Sequence, residues 1–388
     1  MQVHGLKGTM VDCDWAPLTF AELETLIAVF PQCGALECVC SISPRPFSAA
    51  SVVETTAGRI FIKRHRQSVR TVEGLAEEHG FLAHLHAHGA AVAEVLKTSS
   101  GATAAEQDGW VYEVHTIPAG VDAYSEALSW TPFQCAAHAH AAGAMLASLH
   151  LAAAGYRAPR RQPRPLVASF TIFATSDSRA GLAQYIHDRP ALDRVDEVHV
   201  CAEHALEILE PFAAELRPLL PALPSLWTHN DLHASNLFWS GTGPDATVTA
   251  AIDFGLADRT FAVHDIAHAI ERNIVEWLSL FTDPAHPETV PIYFDQLDAL
   301  LEGYESVRPL LREEALALAP TMALCHAEFA LTEADYYLIA LRDEARAKVA
   351  YDDYLVGHAQ WFKGPGAKLL DALRSWAAQH ADSKEYSL

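Results

Sequence analysis

The sequence predicts an α+β chain in two lobes, a small antiparallel sheet over residues 1–117 and a mainly helical lobe over residues 118–388. Three observations predict it. Runs with a period of two, rich in β-branched and aromatic residues, gather before residue 118, whereas Ala- and Leu-rich runs of helical length dominate after it. Within the helical part, the stretch "WTHNDLHASNLFW" (residues 227–239) sets a dense polar cluster between apolar flanks that read as short strands.

Each element has its own signal. "LTFAELETLIAVF" predicts an opening helix, with Thr19 and Glu22 at capping-box spacing and Phe20, Leu23, Ile27 and Phe30 on one face. "ALECVCSIS", "AASVVETT" and "RIFIKRH" read as three strands, joined by a proline-containing loop over residues 43–48 and a tight Ala57-Gly58 turn. A helix is predicted over residues 69–88, then two more strands in "AVAEVLKT" (91–98) and "GWVYEVHTI" (109–117). Beyond residue 120 come two long helices, "FQCAAHAHAAGAMLASLHLAA" and "DEVHVCAEHALEILEPFAAEL", and a nearly continuous helical region after Asp265. The Pro- and Arg-rich "APRRQPRP" (158–165) reads as a loop inside the second lobe.

Composition narrows the function. A formal charge of −22 would repel a polyanion, so neither nucleic acid nor an anionic membrane is an expected partner, and a cationic small molecule is favoured. Seven cysteines scattered over 388 residues suit reduced thiols and a cytoplasmic setting. The first residues lack the apolar core of a signal peptide, and no run of 18 apolar residues occurs.

The polar cluster has a chemical reading. Residues 237–239 and 247–252 form two apolar strands around "SGTGPD", a turn signal. A hairpin centred near Pro244-Asp245 pairs positions summing to 489, which sets Asn236 opposite Asp253, with Asp231 in the loop that enters the ribbon. Three oxygen-bearing groups so placed are the ingredients of a Mg²⁺ site beside a catalytic base, because hard cations take oxygen ligands and Mg²⁺ uses few protein ligands plus phosphate and water.

His229-Asn230-Asp231 through Asn236, followed by Asp253-Phe254-Gly255, resembles the paired motifs of the aminoglycoside phosphotransferase and choline kinase group of small-molecule kinases, which have a protein-kinase-like fold. "GAMLASLH" and "FAVHDIAHAI" are similar to flanking segments of that group, and the likeness runs from about residue 36 to 270. The resemblance implies a nucleotide-binding first lobe and a second lobe carrying the catalytic loop, metal site and substrate pocket. It implies catalytic roles for Asp231 as base and for His229 as organiser of its loop, Mg²⁺ ligation by Asn236 and Asp253, and Asp265 as anchor of the loop. On the nucleotide side it implies Lys63 as the phosphate-binding cation, Glu78 as its ion-pair partner with Glu77 and Glu73 as alternatives, and adenine bonded to backbone around His115 to Ile117. The donor is ATP, with GTP left open. One departure stands out: "SPRPFSAAS" (43–51) holds no glycine where protein kinases have a Gly-rich loop, so Ser48, Ser51 and backbone N–H groups are the candidates for phosphate.

Rival readings exist. His229, Asp231 and His233 together with His264, Asp265 and His268 suggest a metal-dependent phosphohydrolase, and the glycine-free loop suggests a catalytically silent nucleotide-binding regulator on a kinase scaffold. "HLHAH" (84–88) and Cys33, Cys38 and Cys40 are weaker metal candidates. For the acceptor, Glu328, Thr332 and Asp335 recur at helical spacing beside Tyr336 and Tyr337. If that face meets Asp231, its carboxylates suit a hydroxyl acceptor bearing an amine, such as a small metabolite or an aminoglycoside-like antibiotic.

Overall fold

The computed structural model describes residues 13–43 and 45–385. Residues 1–12, Pro44 of the predicted loop and residues 386–388 lie outside the described residues.

The first lobe is built by alternation. Strands β1 (Leu36–Ile42), β2 (Ala49–Thr55), β3 (Gly58–Arg66), β4 (Ala104–Gln107) and β5 (Trp110–Thr116) form an antiparallel sheet in the order β1-β2-β3-β5-β4. Ala49, Val53, Ile60, Ile62, Tyr112 and Val114 point to one face, where Leu23, Leu26 and Ile27 of α1 (Phe20–Ile27) complete a small core. The predicted capping box starts α1: Glu22 N–H donates to Thr19 Oγ1 (3.3 Å) and Thr19 N–H to Glu22 Oε2 (3.2 Å). Ala50, Phe61, Lys63, His65 and Glu113 take the opposite face and line a cleft, against which α2 (Val72–Ala87) packs.

One strand is not where it was expected. Residues 91–98 make single bridges only, Val92 to Ala251 and Val95 to His115, because this segment crosses from the sheet edge to a hairpin of the second lobe and divides its backbone bonds between them. The fourth strand is β4 instead. Its signal is Asp108-Gly109, both at positive φ (52° and 76°), the two-residue hairpin turn whose twist suits paired strands.

The second lobe comprises α3 (Ala136–Ala153), α4 (Ser178–His187), α5 (Pro190–Asp193), α6 (Asp196–Leu216), α7 (Ala262–Ile274), α8 (Phe294–Val307), α9 (Arg312–Leu324), α10 (His326–Tyr336), α11 (Glu344–Lys348), α12 (Leu355–Lys363) and α13 (Ala367–Glu385). It also holds two short antiparallel pairs, β6 (Ser225–Thr228) with β9 (Asp258–Phe261) and β7 (Leu237–Trp239) with β8 (Val248–Ala251). Helices α3 and α8 meet backbone to backbone because Gly143 and Gly303 face each other's helix: an added Cβ would sit 2.0 Å from Leu300 O or His140 O. Every residue of α7 is buried. The run Arg312–Leu341 is long and apolar enough to cross a membrane by length and composition, but 94% of its most apolar window is buried inside the protein. No disulfide forms among the described residues.

Candidate active site

Helix α7 shapes the polar loop that follows β6. Asp265 accepts the backbone N–H groups of His229 and Asn230 (both 2.7 Å) and a bond from His150 Nε2 (3.0 Å). Burial opposes the charge on Asp265, yet the His150 bond and the loop N–H groups hold its carboxyl at about 2. Two turns along the same helix, Arg272 Nε donates to Asp231 Oδ1 at 2.7 Å, and next to it Asn273 pins the loop through Leu232 O (3.0 Å) and Ala234 N–H (2.9 Å). The Arg272 guanidinium is sandwiched by Trp130 and Phe329 (4.7 and 4.9 Å to the ring centroids). Burial raises the Asp231 pKa and Arg272 counters it. Sequence reasoning missed Arg272 and Asn273; the signal was an Arg-Asn pair seven and eight residues after Asp265 on an otherwise apolar helix.

His229 touches backbone on both sides. Its Nε2 donates to Ile252 O (2.9 Å), its Nδ1 accepts Asp231 N–H (3.1 Å), and its ring packs on Phe254 at 4.5 Å. With both ring nitrogens engaged, the imidazole ties the loop to the ribbon.

The ribbon's register differs from expectation by one residue. Leu237 faces Ala251 and Phe238 faces Ala250, so positions near the open end sum to 488, and Ile252 N–H donates to Asn236 O (2.9 Å). Asn236 is therefore opposite Ile252. The cause is the loop: Ser240 and Thr247 close it, and a shift after Phe238 absorbs a residue on the β8 side. Asp253 still reaches the site because its backbone turns back at φ 59°. Asn236 Nδ2 donates to Asp231 O (2.9 Å) and Oδ2 (3.3 Å), which leaves the amide oxygen as its ligand-capable atom. Asp253 Oδ1 is 2.8 Å from Lys63 Nζ; burial opposes its charge, but Lys63 holds the carboxyl down at about 2. Asp231, Asn236, Asp253 and Lys63 line one cleft of about 540 Å³.

Glu78 lines the same cleft but does not pair with Lys63. Its carboxylate lies 3.5 Å from Arg161, whose guanidinium bonds Gly255 O and Ala257 O. The Arg-rich loop after α3 thus captures the helix carboxylate and links α2 to the segment after Asp253. Burial works against the charge on Lys63, but Asp253 and Glu113, with Glu78 behind them, raise its pKa. Ser48 lines the cleft, whereas Ser51, one strand position out of phase with Ala50, is buried on the α1 face beside Ile62. Neither His115 nor Ile117 lines it; the His115 ring turns to Glu113 at 2.9 Å. The phosphohydrolase grouping does not assemble, since His264 bonds Asn230 and His268 bonds Arg272.

A model of the phosphotransferase enzyme family matches residues 46–310. The chain belongs to the phosphotransferase enzyme family. This phosphotransferase is 26% identical over 239 residues to a homoserine kinase of Rhizobium etli, a match covering 62% of each chain and so less than two thirds of that relative. It is 26% identical over 302 residues to a homoserine kinase of Xanthobacter autotrophicus, across 77% of this chain and 80% of the relative. Among solved structures, a microcompartment-associated aminopropanol kinase aligns with a TM-score of 0.56 and 16% identity over 89% of this chain and 97% of that one. The sheet-over-helices architecture is the protein-kinase-like fold that the motifs led us to expect.

The far wall of the phosphotransferase's cleft also departs from expectation by one helical position. Glu328 accepts Thr171 and Ile172 N–H, Thr332 donates to Arg164 O, and neither lines the cleft. Asp335 is buried on the side of Arg189, and burial pushes its carboxyl up to about 6 against the pull of that arginine. The next positions round α10, Phe329, Glu333 and beyond them Tyr337, face the cleft instead. One residue of a helix is a rotation of about 100°.

Proposed function

We propose that this phosphotransferase moves the γ-phosphoryl of ATP to a hydroxyl of a small acceptor bearing an amine. The observation that carries this is the meeting of Asp231, Asn236, Asp253 and Lys63 on one cleft whose far wall presents Glu333 among Phe47, Trp130, Phe329 and Tyr337. Asp231, aimed by Arg272, accepts the proton of the attacking hydroxyl. Lys63 supplies positive charge to the phosphates. The Asn236 amide oxygen and the Asp253 carboxylate are hard oxygen donors of the kind Mg²⁺ prefers, and they would hold it. The ion supplies neutralisation of charge on the transferring phosphoryl group. Arg161 takes over the link to α2 through Glu78.

Amine recognition draws on two supports. Carboxylate and aromatic faces together favour an ammonium over a neutral or anionic group. The relatives named homoserine kinase and aminopropanol kinase act on molecules that carry both a hydroxyl and an amine. The test is ADP release from purified protein with Mg²⁺, a panel of ATP and GTP, and a panel of amino alcohols and aminoglycosides. Turnover with cationic acceptors and a loss of roughly 10²-fold or more in Asp231→Ala is expected. Turnover confined to neutral or anionic acceptors would remove the amine, and phosphate-ester hydrolysis without nucleotide would remove the kinase.

A further inference from the structure

Beside Lys63, a nitrogen-rich cluster reaches the cleft through His65 and Glu113. Strand alternation sets His65 on β3 and Glu113 and His115 on β5 on one sheet face, and α2 lays His79 across them. His65 Nε2 is 2.8 Å from Glu113 Oε1, while His79 Nε2 and His115 Nε2 lie 2.8 and 2.9 Å from Glu113 Oε2. All four residues are buried. Two imidazole nitrogens thus converge on one carboxylate oxygen, and a third holds the other oxygen.

We propose that His79, Glu113 and His115 bind one divalent transition-metal ion of the zinc class, with His65 as the positioning residue that orients the Glu113 carboxylate. The ligand atoms of these three residues all lie within 4.8 Å of one another. Ligand atoms around tetrahedral zinc with bonds of about 2.0–2.2 Å stand about 3.4 Å apart, so small side-chain adjustments form the shell. The three come from one strand, β5, and one helix, α2, which keep them in place without the ion. Imidazole nitrogen selects zinc, cobalt, nickel or copper over magnesium, so this site and the oxygen pair Asn236/Asp253 divide the two classes of cation between them. His65 on the second carboxylate oxygen follows the pattern by which outer hydrogen bonds orient a ligating carboxylate. Lys63, on the same sheet face, turns its ammonium to Asp253 at 2.8 Å. The other compact group, His268, Glu271 and Cys325, carries no such proposal, because the Arg272 guanidinium bonds both His268 and Glu271 and occupies that place.

The test uses the full-length protein, stripped with EDTA, dialysed, and titrated with ZnCl₂ by calorimetry and with Co²⁺ by visible absorption. One saturable equivalent is expected. It is lost, or weakened by more than about tenfold, in His79→Ala/His115→Ala, following the contribution of ligands to affinity. It persists in Asp253→Asn and in the exposed-pair variant His86→Ala/His88→Ala. X-ray absorption of the wild-type zinc form reads the shell directly, with nitrogen and oxygen scatterers including imidazole, whether or not the variants fold. Absence of a saturable equivalent, an unchanged equivalent in the folded double variant, or sulfur in the shell overturns the proposal. None of these readouts depends on phosphotransfer.

Discussion

Phe47, Trp130, Leu166 and Asp253 line the cleft with positive φ (74°, 68°, 54° and 59°), and Asn230, just before Asp231, has φ 61°. Such conformations cost about 1–3 kcal/mol each outside glycine and persist where neighbours over-determine them. Here they do: Asp14 accepts Phe47 N–H, the Arg272 guanidinium packs on the Trp130 ring, Arg70 bonds Leu166 O, Asp265 accepts Asn230 N–H, and Lys63 bonds Asp253. Asp265 also gives acid sensitivity a definite sign. Its folded pKa of about 2 lies below the ordinary 3.8, so its contribution, about 2 kcal/mol, is fully present above pH ~4 and fades as pH falls toward 2. Asp265→Asn is therefore expected to lower the urea midpoint above pH ~4, with the gap to wild type closing below it. A gap that stays constant between pH 5 and 2 would show that Asp265 is not held ionised by the loop.

At the scale of elements, α7 is the part on which the loop depends. One buried face carries Asp265, Arg272 and Asn273, which bond residues 229–234. Asn273→Ala would leave the Leu232 carbonyl and the Ala234 N–H buried without partners, at a cost of about 2–5 kcal/mol. Steady-state kinetics should then show kcat falling roughly tenfold or more with the acceptor KM little changed, since the loop positions the base. An equal fall in stability with unaltered kcat would assign Asn273 to packing alone. Elements with strong local signals were readable in advance: the α1 capping box, and the long helix Asp196–Leu216 whose predicted and observed bounds coincide. The fourth strand was not, because the apolar run at 91–98 outweighed the shorter "AAEQ" whose identity rests on the Asp108-Gly109 turn.

Across the whole molecule, the glycine-free β1–β2 loop straps one lobe to the other. Arg45 bonds Ser129 Oγ (2.9 Å) and Ala127 O (3.1 Å), and the Phe47 ring packs edge-on against Tyr336 of α10 at 5.0 Å. A loop built this way fixes the mouth of the cleft. Arg45→Ala is expected to cost about 1 kcal/mol of stability and to raise the acceptor KM several-fold with kcat near wild type, measured by ADP release. An unchanged KM would separate the strap from acceptor binding. What the residue order alone determined was the local part of the site: Asp231, Asn236 and Asp253 come together because a polar loop and a short ribbon join them within 23 residues. Only tertiary structure decided that Arg272 meets Asp231, that Arg161 takes Glu78 from Lys63, and that Glu333 rather than Glu328 or Asp335 faces the cleft. These depend on helix phase and on charges brought together from distant segments. A single-residue rotation redirects a side chain by about 100°, and no local pattern specifies which way a buried helix turns.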